Sequence, residues 1–185
     1  MSIRLIVVIG IVAILVVWFI AMYNGFVKIK NRVDEAFATI DVYLKKRYDL
    51  IPNLVETVKG YAAHESGTLE KVVQARNMAQ SARSDQEKIA ADNMLSGTLK
   101  SLFAVAEGYP DLKANTNFID LQNQLKAIEE DIANARKYYN AVVREFNTKR
   151  EVFPSNIIAG MFGFKARPLY EVETAEERQN VKVQF

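Results

Sequence analysis

The chain has 185 residues, a formal net charge of +2, one histidine and no cysteine. That length accommodates a short anchor and one domain with a real core. The missing cysteines exclude disulfides and thiolate chemistry, and the interspersed charge excludes a broad electrostatic footprint for nucleic acid.

Residues 5–23 are apolar, and no charge falls between Arg4 and Lys28. As a helix this run spans roughly 30 Å, about one bilayer core. A cleaved leader has a shorter apolar region and ends on small residues. Here Trp18, Phe19, Met22 and Tyr23 stand at that end. Residues 1–25 therefore read as a single uncleaved transmembrane anchor, with the lipid bilayer as first partner. Trp18 and Tyr23 suit an interface belt, flanked by Arg4 on one side and by Lys28, Lys30 and Arg32 on the other. That asymmetry, about one charge, leans toward a cytoplasmic body.

Phe26, Ile29, Val33, Phe37, Ile40, Leu44 and Arg47 recur every three or four residues, so the anchor is predicted to continue as one helix. Such continuity would hold the body at a fixed height and tilt above one leaflet. Asp49 and Pro52 predict the end of that helix. A second stripe runs from Ile51 to Ala79, with Gly60 and Gly67 predicting a kink or a thin stretch between them. Ser84-Asp85-Gln86-Glu87 is a capping-box pattern. It opens a third stripe of Ile89, Leu95, Leu99, Leu102, Phe103 and Ala106, which Gly108 and Pro110 stop. Asn115-Thr116-Asn117 offers caps for a fourth helix, whose seam from Phe118 to Phe146 alternates three and four without a slip.

The predicted fold is all-α: an N-terminal transmembrane helix continuing into an antiparallel four-helix bundle of long helices over residues 26–151. Residues 152–185 read as an apolar cap segment followed by a weakly ordered tail from Glu171 onward.

Several runs resemble the LemA family. They are Tyr23-Asn24 with Phe26-Val27 and Lys30-Asn31, then Glu35-Ala36-Phe37-Ala38, Ile40-Asp41-Val42, Leu44-Lys45, Arg47 and Asp49-Leu50-Ile51-Pro52-Asn53-Leu54-Val55. Tyr61 with His64-Glu65, Tyr139-Asn140, Phe146-Asn147, Phe153-Pro154 with Asn156 and Ala159, and Phe162-Gly163-Phe164 extend the likeness over residues 20–170. The resemblance implies a bacterial single-pass membrane protein with a four-helix domain and no established enzymatic activity.

Chemistry-bearing residues are few. His64-Glu65 could begin a metal or acid–base site, but a helical zinc site needs a second histidine four residues on, and position 68 is Thr. Glu129, Glu130 and Asp131 lack the Glu-x-x-His partners of a di-metal bundle and read as a solvated face. Lys45-Lys46-Arg47 is too short for a nucleic-acid patch. Arg47, Glu65 and Arg76 lie on or near predicted seams. If buried, they must be paired, and at least one arginine is expected to meet a carboxylate between helices; the alternative is that long side chains snorkel out at the stripe edge.

Phe153, Ile157, Ile158, Met161, Phe162 and Phe164 crowd one short segment, a candidate association surface. Packing or oligomer contact is favoured there over membrane insertion, because the strongly basic face of an interfacial helix is missing. No catalytic residue, cofactor or metal is expected. The leading reading is a membrane-anchored scaffold in the bacterial inner membrane, acting by self-association and contacts with membrane or envelope proteins. The rival is an adaptor for a membrane protease or sensor. A deep pocket with convergent carboxylates would revive an enzyme.

Overall fold

The computed structural model describes residues 3–170; the tail from Glu171 onward lies outside them. The elements are α1 (Ile3–Lys59), α2 (Ser66–Ser81), α3 (Asp85–Ala106), the single turn α4 (Pro110–Lys113), α5 (Thr116–Glu151) and α6 (Ser155–Met161). The protein is all-α, with a long apolar N-terminal helix and helices packed against one another in a bundle. Two compact units are distinguished. One comprises the chain up to Thr39 with Lys137–Leu169, the other Ile40–Arg136 with Tyr170.

In the first unit, α1 and the C-terminal part of α5 run antiparallel. Phe26 meets Phe146 (centroids 6.3 Å), and Phe37 meets Tyr139 (5.4 Å). Ile29, Val33, Val142 and Val143 complete this core. Residues 3–18 are exposed throughout, and an 18-residue window of α1 has a mean hydropathy of 3.2 with none of it buried. α1 is therefore long and apolar enough to cross a membrane.

After α6 the chain turns back along α5. The Asn147 side-chain amide donates to the Arg167 carbonyl (2.9 Å) and its oxygen accepts from the Arg167 N–H (3.0 Å). Tyr139 adds a hydroxyl bond to the Pro168 carbonyl at 2.9 Å. Side-chain groups thus satisfy main-chain atoms that no helix supplies.

In the second unit, α1, α2, α3 and α5 alternate in direction. Val55 and Leu69 line one cleft between α1 and α2, Lys88 reaches Asp41 at 2.5 Å, and Phe103 meets Phe118 (6.2 Å). Ile51, Leu54, Val72, Leu95, Leu102 and Ile132 are fully enclosed. The capping box at α3 forms: the Glu87 N–H donates to Ser84 Oγ (3.2 Å), while the Glu87 carboxylate accepts the Ser84 N–H (3.2 Å). Asn115 caps α5 through the Phe118 N–H (3.0 Å).

The helix boundaries differ from the sequence reading in one place. α1 does not stop at Asp49–Pro52 but continues to Lys59, with Pro52 inside it. The stripe from Ile51 to Ala79 is therefore divided between two helices, broken at residues 60–65. The reason lies in α2. Proline has no N–H for the carbonyl four residues earlier, which here belongs to Tyr48. Arg76 Nε donates to that carbonyl at 2.9 Å. The helix keeps its course because another helix supplies the missing donor.

Candidate functional site

The second unit encloses a cluster of charges. Arg47 stands on the α1 seam between Leu44 and Ile51, so the stripe that builds the core carries the guanidinium inside. The side chains of Arg47 and Asp92 are 1% and 0% exposed, and they form a direct ion pair. Arg47 also donates to Glu129 Oε2 (2.9 Å) and Ser96 Oγ (3.0 Å). The other oxygen of Asp92 accepts from Arg136 and from the Tyr170 hydroxyl. The Arg136 guanidinium lies over the Tyr170 ring, 4.6 Å from its centroid.

Two arginines thus face two carboxylates, so the cluster is neutral in sum. Neutrality of this kind is what a low-dielectric site requires. Burial lowers the pKa of Arg47, against the opposing pull of Glu129. Burial also pushes the Tyr170 hydroxyl up to about 12.

Of the three seam residues singled out in the sequence, only Arg47 enters this cluster. Arg76 serves the Tyr48 carbonyl, and Glu65 accepts from the Tyr109 hydroxyl at 3.1 Å. Glu129 is turned toward Arg47 rather than wholly into solvent, whereas Glu130 and Asp131 are exposed. Asp92, Arg136 and Tyr170 were missed. A signal existed for the first two: Asp92 falls three residues from both Ile89 and Leu95, and Arg136 falls between Ile132 and Tyr139. Both occupy seam positions. Tyr170 offered none, because no periodic element contains it.

Beside Arg47 lies an open cleft of about 480 Å³, lined by Leu99, Phe103 and Leu125 with Lys100, Lys126 and Glu129 at its margins. His64 is exposed. Among the described residues, no three His, Cys, Asp or Glu side chains are grouped to hold a metal ion.

The first unit holds the residues assigned to the membrane interface. Arg4, Trp18 and Lys28 are exposed and Tyr23 is half-buried. Lys30 pairs with Asp34 (2.9 Å), and Arg32 with Glu145 (3.4 Å). The aromatic segment after α5 is divided. Ile158 is buried, and Phe164 stacks on Phe26 (4.9 Å, 16°). Phe153, Ile157, Met161 and Phe162 remain exposed.

These features define an all-α membrane-associated protein, with one apolar N-terminal helix and a helical body carrying an enclosed ion cluster. The chain belongs to the LemA family, which it matches over residues 36–185. It is similar to Protein LemA of Metamycoplasma hominis, 25% identical over 145 residues, covering 76% of this chain and 65% of that one. Magnetosome protein MamQ 2 of Paramagnetospirillum magneticum is 22% identical over 179 residues, covering 83% of this chain and 66% of its own. Magnetosome protein MamQ of Magnetospirillum gryphiswaldense is 22% identical over 169 residues, covering 77% and 62%. The chain thus spans slightly less than two thirds of the length of these curated relatives.

Proposed function

We propose that this protein is a membrane-anchored scaffold that acts through self-association and protein–protein contacts rather than catalysis, in the organisation of a membrane or envelope. The observation that carries the reading is α1. Its residues 5–18 are apolar and exposed, while the same helix supplies Phe26, Ile40, Ile51 and Leu54 to enclosed cores. Apolar surface of that length is favourable in lipid and costly in water. Likeness to proteins named for the magnetosome supports the organising role. Arg4 on one side against Lys28, Lys30 and Arg32 on the other favours a cytoplasmic body in a bacterial inner membrane.

A second reading, an adaptor for a membrane protease or sensor, draws on the cleft beside Arg47. Its apolar walls and lysine margins suit a partner's acidic or amphipathic segment. Sedimentation of the full chain in detergent separates the two. A scaffold gives a concentration-dependent series of assemblies. A monomer at every concentration overturns self-association, and stoichiometric retention of a second protein by that monomer favours the adaptor.

A further inference from the structure

The segment around α6 splits into two chemically different faces. The helix ends in a Schellman motif: the Phe164 N–H donates to the Ala159 carbonyl (3.0 Å) and the Gly163 N–H to the Gly160 carbonyl (3.4 Å). Gly163 takes a φ of +67°, which glycine adopts without a side-chain clash. That turn sends Phe164 back between Phe26 and Phe146, so one face is used in packing. The other face is not. Phe153, Ile157, Met161 and Phe162 are 79%, 52%, 66% and 47% exposed. Ile157 and Met161 stand one turn apart on α6 and so share a face, with Phe153 exposed just before the helix and Phe162 just after it.

The position of this face along α1 is given by ring contacts. Phe162 lies 4.5 Å from Tyr23 and 6.0 Å from Phe19. Phe19 is the first half-buried residue of α1, and Tyr23 closes the apolar run. Those two residues are about 6 Å apart along the helix axis. With residues 5–23 spanning the hydrocarbon, Phe162 therefore falls at the boundary between acyl chains and headgroups. The exposed face is continuous with surface that already faces lipid. Arg150 is paired with Glu151 (2.9 Å) and Lys149 lies over the Phe26 ring (5.2 Å), so the apolar side chains carry this face, with Lys165 exposed beside them.

We propose that α6, with Phe153 and Phe162, is a second membrane contact: a short interfacial wedge whose exposed face rests in the headgroup region of the leaflet from which α1 emerges. The occupant of this face is the bilayer surface, not a second copy of the chain. The inference rests on the reading of α1 as a membrane span.

The chain supplies its own controls, having one tryptophan and no cysteine. The full chain is reconstituted into phosphatidylcholine–phosphatidylglycerol vesicles containing lipids with a shallow doxyl quencher. Trp18 reports the anchor. A fluorophore on Ile157→Cys or Met161→Cys reports the wedge, and one on Asp131→Cys reports an exposed polar position. The expected result is strong lipid quenching at Trp18, 157 and 161, with 157 and 161 quenched at least ~2-fold more than 131 and shielded from aqueous iodide. If Trp18 is quenched while 157 and 161 respond to iodide as 131 does, the wedge is overturned and the anchor stands. Protection of 157 and 161 from both quenchers overturns it in favour of a protein contact. Failure to quench Trp18 overturns the anchor, and the wedge with it.

Discussion

Arg76 Nε donates a hydrogen bond to the main-chain carbonyl of Tyr48, 2.9 Å away. That carbonyl is the one Pro52 cannot serve, so α2 repairs a defect in α1. Removing the guanidinium with Arg76→Met leaves the carbonyl short of a donor and should cost about 1–3 kcal/mol. Pro52→Ala returns an N–H to the same carbonyl. The cost of Arg76→Met should therefore shrink by about 1 kcal/mol or more in the Pro52→Ala background. Urea unfolding of the full chain in micelles, followed by circular dichroism, completes the cycle. Equal costs in both backgrounds would refute the coupling.

Arg47 has two carboxylate partners in different surroundings. Asp92 is fully enclosed, whereas the Glu129 side chain is 46% exposed. Asp92→Ala removes the enclosed carboxylate that Arg47 and Arg136 share, leaving Arg47 with Glu129 alone as counter-charge, and is expected to destabilise the protein by about 3 kcal/mol. Glu129→Gln removes a screened charge and should cost about 1 kcal/mol or less. The same unfolding measurement decides, and similar losses for the two variants would contradict this account of the cluster.

Burial raises the Tyr170 hydroxyl to about 12, outweighing the pull of Arg136 and Arg47. The folded state then holds this proton more tightly than the unfolded chain, where tyrosine ionises near 10. Its contribution is complete below about pH 10 and is lost as pH rises from there toward 12, by about 3 kcal/mol in all. Tyr170→Phe starts less stable but should lack this part of the alkaline decline. Parallel stability curves for the two proteins above about pH 10 would be the contrary result.

The N-cap of α3 titrates in the opposite direction. Main-chain N–H groups of Arg83 and Ser84 hold the Glu87 carboxyl below its ordinary value. Its support is therefore present above the unfolded pKa of about 4.3 and fades as pH falls through the lower folded value. Glu87→Gln should flatten that part of the acid profile. Ser84→Ala, which removes the hydroxyl acceptor, is expected to cost about 1 kcal/mol at neutral pH. Melting curves at neutral and acid pH test both, and an unchanged acid profile in Glu87→Gln would argue against the carboxylate's role.

Short-range information in the sequence determined much of this protein. The uncharged run from Leu5 to Tyr23, the three-and-four spacing from Phe26 to Arg47, the Ser84–Glu87 box and the seam from Phe118 to Phe146 each state their structure within a few turns. Helix period, caps and solvation depend on near neighbours, so they can be read along the chain. Only tertiary structure decided that α1 would pass through Pro52, because the compensating donor sits on another helix. It likewise brought Asp92 to Arg47, and Arg136 and Tyr170 to Asp92, since a buried charge takes its partners from whichever elements fold against it. It also divided residues 153–164, burying Ile158, stacking a half-buried Phe164 on Phe26 and leaving Ile157 and Met161 outside. An apolar composition says that such residues avoid water, but what covers each of them depends on which surfaces the fold brings alongside.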